Sequence, residues 1–284
     1  MEEKIIVTVG IALYNHENYI VQCLESIVKQ TYSNIELIII DDGSPDNSYE
    51  VAKNYLESQD YNKNFIIQTR TNKGMCNTLN EIAKLSSGEY ISFVGSDDYW
   101  SLNKIEEQVQ FLKDNQNYAL VHSNSITVDE NDNEIGILDM NDKKNSGDIF
   151  ESIVYGKGGI NTPSHLYRTS VYDTIGYYDP SLKFEDTDFW LRLTKHFQIG
   201  YINKVHSYYR WHGKNLSDSK NKLKFYNDEI IKIFKKNIDD EKLKKYAISK
   251  MYRKSFLRAL RTFEGKYFFI NLWKFIKCKL FNRY

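Results

Sequence analysis

The chain has 284 residues, of which 41% are hydrophobic and 27% charged, and its basic and acidic side chains are equal in number. This composition is typical of a soluble globular protein with a sizeable core, and no apolar run approaches the roughly 18 residues of a membrane span. Three widely spaced cysteines exclude a disulfide framework and a cysteine-rich metal site. An N-terminus without the layout of a secretory signal favours a reducing cytosol.

Strands and helices alternate along the first 114 residues. Apolar residues at helical spacing predict three helices between the strands. This alternation predicts an α/β fold with a mostly parallel central sheet flanked by helices on both faces. Four segments rich in apolar and β-branched residues predict the first strands: 4–13, 35–40, 65–67 and 90–94.

Polar residues follow three of these strands, as the pairs Tyr14-Asn15, Asp41-Asp42 and Asp97-Asp98. In an open sheet of this kind, ligands bind outside the carboxyl ends of the strands, so the pairs indicate one site rather than three unrelated turns. Adjacent residues at a strand end point in different directions. One of Asp97 and Asp98 could therefore reach a ribose hydroxyl while the other reaches a divalent cation, because hard cations prefer carboxylates and phosphates.

The pattern is less regular after residue 114. A hairpin is predicted for 125–128 and 134–137, with a polar turn between them. Residues 184–193 begin acidic and continue as an amphipathic helix. Glu185 and Asp186 at its start suit the positive end of the helix dipole, so simple capping is an alternative to a chemical role.

In this order the motifs resemble those of the family 2 inverting glycosyltransferases, which have the GT-A fold. The resemblance covers about residues 4–215, and seven motifs in the expected order are far more specific than any one of them. They are Ile11-Ala12-Leu13-Tyr14-Asn15, Ile40-Asp41-Asp42-Gly43-Ser44, Asn72-Lys73-Gly74 leading to Asn80, Gly88-Glu89-Tyr90-Ile91, Ser96-Asp97-Asp98, Glu185-Asp186 before Trp190-Leu191-Arg192-Leu193, and Tyr209-Arg210-Trp211-His212.

The resemblance implies that residues 1–100 bind a UDP-sugar. Asp42 would accept a hydrogen bond from the uracil, and Asp97 would face the ribose or the sugar. Many members carry Arg where this chain has Leu79, so one nucleotide or structural contact lacks its usual residue. Further nucleotide-sugar contacts would come from Ala12, Tyr14, Glu17, Gly74 and Asp98.

The resemblance also implies a divalent cation, Mn²⁺ or Mg²⁺, that bridges the diphosphate. Asp98 would bind this cation, and His212 would contact the diphosphate or the cation from the far side. Many members have a further Asp at the position of Gly95, so fewer carboxylates are available here. An ordinary surface-loop histidine is the alternative interpretation of His212.

Acceptor binding and catalysis are expected in residues 101–215. A sugar hydroxyl is a poor nucleophile near neutral pH, so a carboxylate within about 3 Å must take its proton. The resemblance assigns this role to Asp186. Glu185 is the alternative, because neighbouring carboxylates can exchange roles. His165 and Trp211 are expected to face the acceptor.

Residues 216–284 are predicted to form a helical C-terminal extension. From residue 242 to 284 there are 13 Lys and Arg and one acidic residue, whereas the rest of the chain has a net charge of −12. A basic amphipathic helix with aromatic residues suits an anionic membrane surface. Packing on the catalytic domain is the alternative, and no nucleic-acid-binding motif accompanies the charge. In the helix at 267–281, the apolar face would hold Phe268, Leu272, Trp273, Phe275, Ile276 and Leu280, opposite Asn271, Lys274 and Lys277.

The leading hypothesis is an inverting transferase that moves a sugar of the Gal, Glc, GalNAc or GlcNAc type from UDP to a saccharide hydroxyl. Its acceptor would be lipid-linked, in the synthesis of bacterial O-antigen, capsule or another surface polysaccharide. Such an enzyme is expected in the cytoplasm, bound peripherally to the inner face of the plasma membrane. The alternatives are a glycoside hydrolase with paired carboxylates and a nucleotide- or glycan-binding protein without transferase activity. A dinucleotide-dependent oxidoreductase is disfavoured because no G-x-G-x-x-G follows the first strand.

Overall fold

The computed structural model of the chain describes residues 5–59, 65–141, 143–182, 184–213, 215, 222–261 and 265–281. The predicted alternation of strands and helices is confirmed, as is the predicted hairpin. The strands in these residues are β1 (Val7–Leu13), β2 (Ile35–Asp41), β3 (Phe65–Thr69), β4 (Tyr90–Gly95), β5 (Tyr99–Trp100), β6 (Tyr118–Val128), β7 (Glu134–Leu138), β8 (Leu166–Arg168) and β9 (Gln198–Arg210). The helices are α1 (Ile20–Val28), α2 (Ser48–Ser58), α3 (Met75–Leu85), α4 (Lys104–Asp114), α5 (Phe150–Val154), α6 (Val171–Ile175), α7 (Glu185–His196), α8 (Lys222–Asn237), α9 (Glu241–Arg261) and α10 (Gly265–Phe281).

The strands form a single sheet in the order β3-β2-β1-β4-β8-β6-β9-β5, with β7 paired to β6. The first four neighbours pair in parallel, as expected for strands joined through helices. The second half is mixed, because β8 runs antiparallel to both β4 and β6 while β6 and β9 are parallel. The prediction of a mostly parallel sheet therefore holds for the first four strands, and the complete sheet is mixed.

Helices cover both faces of the sheet, so alternate side chains of β2 are buried in two different cores. Leu37 and Ile39 belong to the core shared with α1, α2 and α4, whereas Ile38 and Ile40 belong to the core shared with α3 and α7. Both sets are fully buried. A strand buried on both sides reads as a continuous apolar run, which is why Ile35–Asp41 was recognisable from its sequence.

The close packing of α3 on β1 depends on Gly10. A Cβ atom at this position would lie 2.7 Å from side-chain atoms of Ile82 in α3 and of Phe93 in β4. A glycine in mid-strand marks a close approach of this kind. This packing sets how near α3, and the loop before it, lies to the carboxyl end of β1.

The C-terminal helices share a core with α7 of the preceding domain. Leu191 of α7 is packed with Ile230, Ile233 and Phe234 of α8. Next to this core, the fully buried carboxylate of Asp188 accepts hydrogen bonds from Arg192 Nε at 2.8 Å and from Asn237 Nδ2 at 2.7 Å. The extension is therefore bonded to the helix that carries Asp186.

The predicted faces of the last helix need correction. Asn271, expected on the solvated side, is buried, and Phe275 is half-buried against the C-terminal core. Trp273 and Ile276 are 60% and 41% exposed. The reason is that α10 packs along α9, where Cys278 Sγ lies 3.8 Å from Lys245 O, and Asn271, seven residues before Cys278, lies on the same side of the helix. The side chains of Phe268 and Leu280 lie outside the part that the structure describes. None of the described helices is both long enough and apolar enough to cross a membrane.

Candidate active site

The loops after β1, β2 and β4 meet at one edge of the sheet, as predicted. Leu13 pairs with Asp41 and Ala12 pairs with Gly95, so the three strands end at the same level. The loop after β1 is then hydrogen-bonded to both neighbours. Asn15 N donates to Ser44 Oγ at 3.0 Å, and His16 Nδ1 lies 2.7 Å from Ser96 Oγ.

The loop after β1 is rigidly held, although its tip is open. Asn15 has a φ of 57°, a left-handed conformation that Asn tolerates better than most residues. The side chain of Glu17 accepts hydrogen bonds from Asn47 N and Nδ2 at 3.0 and 3.1 Å, which ties the loop to the start of α2. Tyr14 is 46% exposed and Ala12 is partly exposed at this edge. Of these three predicted nucleotide contacts, Glu17 stabilises the loop through its hydrogen bonds with Asn47.

Asp42 is buried and organises the loop before α3. Its carboxylate forms an ion pair with Arg70 and accepts hydrogen bonds from the backbone N–H groups of Lys73 and Gly74 at 2.8 and 2.7 Å. Gly74, at φ 88°, has no atom within 4 Å of where a Cβ would lie, so it is required for backbone conformation and not for space. Asp42 and Gly74 are thus brought together as expected.

Arg70 was missed in the sequence. Besides Asp42, it reaches Thr78 Oγ1 of α3 at 2.8 Å and forms an ion pair with Glu81 Oε2 at 3.1 Å. It therefore brings a guanidinium to the helix on which Leu79 replaces the Arg of many family members. A basic residue directly after β3, at the same edge as Asp42, was the available signal.

Asp97 and Asp98 point in different directions, as their adjacency predicted. Asp98 is buried, and its Oδ1 accepts a hydrogen bond from Arg210 N at 2.8 Å. Burial and the nearby charge of Asp97 raise the pKa of Asp98 well above its ordinary value. Asp97 is turned towards His212, whose Nε2 lies 3.0 Å from its Oδ2.

The structure adds a second group of candidate cation ligands to the predicted Asp98, which stays a prediction. Among the described residues, the one group whose side chains could hold a cation together is His16, Asp97 and His212, with one ligand atom from each within 4.8 Å of the others. Asp98 is not one of these three: it is buried, and its Oδ1 is bonded to the backbone N–H of Arg210. Imidazole nitrogen and carboxylate oxygen are suitable ligands for divalent transition metals.

Arg210 connects the segments that carry Asp97, Asp98 and His212. This fully buried side chain donates to Asp97 O at 3.0 Å and to Asp132 Oδ1 at 2.7 Å, and its guanidinium lies 4.9 Å from the centroid of the Tyr19 ring. It therefore links the end of β4, the turn after β6 and α1. Its neighbour His212 was recognised in the sequence, whereas Arg210 was quoted only as part of the motif.

Asp186 lies at the N-terminal end of α7, half-buried. Its Oδ1 accepts hydrogen bonds from Thr187 N at 2.6 Å and Thr187 Oγ1 at 3.2 Å. Burial raises its pKa above the ordinary 3.8, with the Thr187 bonds opposing the rise. Cys76, two residues after Gly74, belongs to the same core cluster as Phe189 and Trp190 of α7, and its thiol donates towards Asp179 O at 3.5 Å. Helix α7 thus packs beside the start of α3, close to the loop that Asp42 organises.

The two predicted acceptor contacts have different outcomes. His165 is buried, its Nδ1 bonded to Thr162 O, and its ring packs on Tyr167 and Trp190. Apolar burial lowers the pKa of His165 to about 3. Its expected contact with the acceptor is therefore wrong, because the side chain is part of the core. Trp211 is 38% exposed beside His212 and stays a prediction.

Comparisons with known proteins show the family of this chain. The sequence model of Glycosyl transferase family 2 matches residues 8–177. A UDP-Glc:α-D-GlcNAc-diphosphoundecaprenol β-1,3-glucosyltransferase of Escherichia coli, WfaP, is 32% identical over 236 residues, which are 80% of this chain and 86% of that protein. An uncharacterized glycosyltransferase of Rickettsia bellii is 29% identical over 74% of this chain, and the chain spans only 29% of its length.

Solved structures share the fold. TarS of S. aureus, residues 1–349 in complex with UDP-GlcNAc, has a TM-score of 0.73 at 20% identity, covering 97% of this chain and 81% of that one. The mannosyltransferase PcManGT of Pyrobaculum calidifontis, in complex with GDP-Man and Mn²⁺, has a TM-score of 0.60 at 14% identity, covering 92% and 76%. The predicted GT-A type fold is thereby confirmed. With the family model covering more than half of it, this chain belongs to glycosyl transferase family 2.

Proposed function

We propose that this protein transfers a sugar from a UDP-sugar to a hydroxyl of a saccharide acceptor, with inversion at the anomeric carbon. One observation carries the proposal. The loops after β1, β2 and β4 and the segment after β9 bring His16, Asp42, Asp97 and His212 to one edge of the sheet. Cys76, beside that edge, shares a core with α7, the helix that begins with Glu185 and Asp186. A nucleotide-diphosphate and a proton acceptor can then be held on opposite sides of one sugar.

The donor would lie across the strand ends. Uracil would be recognised near Asp42, whose carboxylate has lone pairs left after its bonds to Arg70, Lys73 N and Gly74 N. TarS, with the same fold, was solved in complex with UDP-GlcNAc, which supports UDP as the nucleotide. A divalent cation held by His212 and Asp97 would offset the negative charge that develops on the departing diphosphate.

Asp186 would act as the base. A carboxylate takes a proton from an attacking hydroxyl more readily when its own pKa is raised, and burial raises the pKa of Asp186. Position at a helix N-terminus opposes that rise, because the helix dipole favours the charged form. Glu185, one residue earlier, is the alternative base, and variants of both decide between them.

The acceptor is proposed to be a saccharide on a lipid carrier. The printed name of WfaP specifies a diphosphoundecaprenol-linked acceptor, and this chain spans 86% of that protein. Such an acceptor lies at a membrane surface. The exposed aromatic side chains of α10, with partly exposed lysines beside them, are suited to that surface and support the proposal that the enzyme binds peripherally to the inner face of the plasma membrane.

A screen for UDP release tests the activity. The protein is incubated with UDP-Glc, UDP-Gal, UDP-GlcNAc and UDP-GalNAc, with Mn²⁺ or Mg²⁺, and with lipid-linked GlcNAc or other saccharide acceptors. We expect acceptor-dependent UDP release from one donor. UDP binding without release from any donor would favour a binding protein, and sugar release from a glycan without any nucleotide would favour a hydrolase.

A further inference from the structure

We infer that His16 is a ligand of the divalent cation, and that a site of two imidazoles and one carboxylate selects Mn²⁺ and Co²⁺ over Mg²⁺. The inference deepens the proposed function and rests on it for the cation's task, although the site itself is defined by His16, Asp97 and His212 alone. A carboxylate-only site at the end of β4 would have no such selectivity.

The spacing of the ligand atoms suits one ion. His212 Nε2 lies 3.0 Å from Asp97 Oδ2, and His16 Nδ1 lies 3.9 Å from Asp97 Oδ1. Two ligands at about 2.1 Å from a metal and at right angles to each other are about 3.0 Å apart. The rings of His16 and His212 have centroids 5.6 Å apart. Small side-chain rotations therefore suffice to bring all three onto a common centre.

The surrounding residues hold these rings in place. His16 N donates to Ser48 Oγ at 2.8 Å, which fixes the backbone of its loop, and its Nδ1 lies 2.7 Å from Ser96 Oγ, a hydrogen bond that a bound cation would replace. Tyr19 stacks on His212 at 5.4 Å between ring centroids and meets His16 edge-on at 6.0 Å.

The ligand types determine which ion is preferred. Mg²⁺ demands oxygen ligands and keeps most of its water, whereas imidazole suits first-row transition metals. Affinity at nitrogen-containing sites rises from Mn²⁺ to Co²⁺ along the Irving–Williams order. His16 supplies the second nitrogen, so replacing it should reduce this preference while leaving Asp97 and His212 intact.

Binding of Mn²⁺ to the full chain, without nucleotide, tests the inference. Electron paramagnetic resonance counts free Mn²⁺, competition with Co²⁺ and Mg²⁺ gives relative affinities, and pulsed measurements detect imidazole nitrogen on the bound ion. We expect Mn²⁺ to bind at least about tenfold more tightly than Mg²⁺. In His16→Asn this ratio and the nitrogen signal should both fall. His16→Asp, which substitutes an oxygen ligand, should bind Mg²⁺ better than His16→Asn does.

His196→Asn is the matched control, because His196 is an exposed histidine at the other end of α7. It should bind every ion as the unmodified protein does. Equal Mn²⁺ to Mg²⁺ ratios and equal nitrogen signals in the unmodified protein and both His16 variants would overturn the inference, provided that thermal unfolding shows the variants folded. Selective Mn²⁺ binding in a protein that releases no UDP would instead contradict the proposed function and leave the site standing.

Discussion

Two effects of opposite sign act on the pKa of Asp186, and its carboxylate can act as a base only when it is ionised. Burial raises its pKa above 3.8, and the hydrogen bonds from Thr187 lower it. Because the net shift is upward, the carboxylate is lost at a higher pH than for an exposed aspartate. We expect kcat to fall as the pH is lowered through a pKa above 3.8. This fall should be absent from the pH profile of Asp186→Asn.

Asp186→Asn should reduce kcat by about 10² to 10⁴ while the affinity for UDP, measured by calorimetry, changes little. The amide has the same shape but cannot accept the hydroxyl proton. Glu185→Gln is the matched control and should retain most of the activity. A collapse of UDP affinity in Asp186→Asn, or full activity in that variant with loss in Glu185→Gln, would exclude Asp186 as the base.

The same substitution has an effect on stability whose sign follows from the pKa. A raised pKa in the folded state means that ionised Asp186 costs free energy there, so its favourable contribution is present below the unfolded-state pKa and is lost as pH rises through the folded-state pKa. Asp186→Asn should therefore be more stable than the unmodified protein near neutral pH. The advantage should vanish below about pH 4, as urea unfolding at several pH values would reveal.

Arg70 offers a second test, because it and its partner Asp42 are both buried, with side chains that are 11% and 7% exposed. Removing one member of a buried pair leaves an uncompensated charge. Arg70→Met should therefore lower the free energy of unfolding by about 3 kcal/mol, and Asp42→Asn in the same chain should recover part of it. Additive losses in this double-mutant cycle would mean that the two side chains are not coupled.

At the scale of elements, α8 and α7 form one unit. Ile233 of α8 is fully buried in the core that includes Leu191 of α7, whereas Ile276 of α10 is 41% exposed. Ile233→Ala should lower the free energy of unfolding by about 2 to 5 kcal/mol. Ile276→Ala should change it by no more than about 0.5 kcal/mol. Chemical denaturation measures both. Equal effects would mean that α8 does not contribute to the folding of the domain.

Across the whole molecule, features that depend on residues close together in the sequence could be predicted, and features that depend on distant residues could not. The strands β1, β2 and β4 and the face of α1 are encoded in local periodicity, and the strand-end carboxylates follow from them. Arg70 and His16 gain their significance from partners 28 and 80 or more positions away. Local pattern could not reveal these contacts. His165 and Asn271 were misassigned for the same reason, since burial by a distant segment overrides a polar side chain's usual exposure.

Helix α10 exposes large apolar side chains on its surface. Phe269, Trp273 and Ile276 are exposed on α10 at 69%, 60% and 41%, and Lys277 Nζ lies 4.7 Å from the centroid of the Trp273 ring. Aromatic side chains flanked by lysine are suited to the headgroup region of an anionic bilayer, where each basic residue contributes about 1 kcal/mol. Truncation is a poor test, because α8 to α10 share the core of α7. Surface substitutions avoid that problem.

Trp273→Ser combined with Phe269→Ser should reduce flotation with phosphatidylglycerol liposomes several-fold, and high salt should reduce it further because it screens the basic side chains. Leu102→Ser, at a residue that is 54% exposed outside the C-terminal helices, is the matched control and should float as the unmodified protein does. All of these proteins should bind weakly to neutral liposomes, because neutral headgroups do not attract the basic side chains. Flotation that survives the double substitution would show that α10 is not the membrane contact, and the lipid-linked acceptor would have to reach Asp186 by another approach.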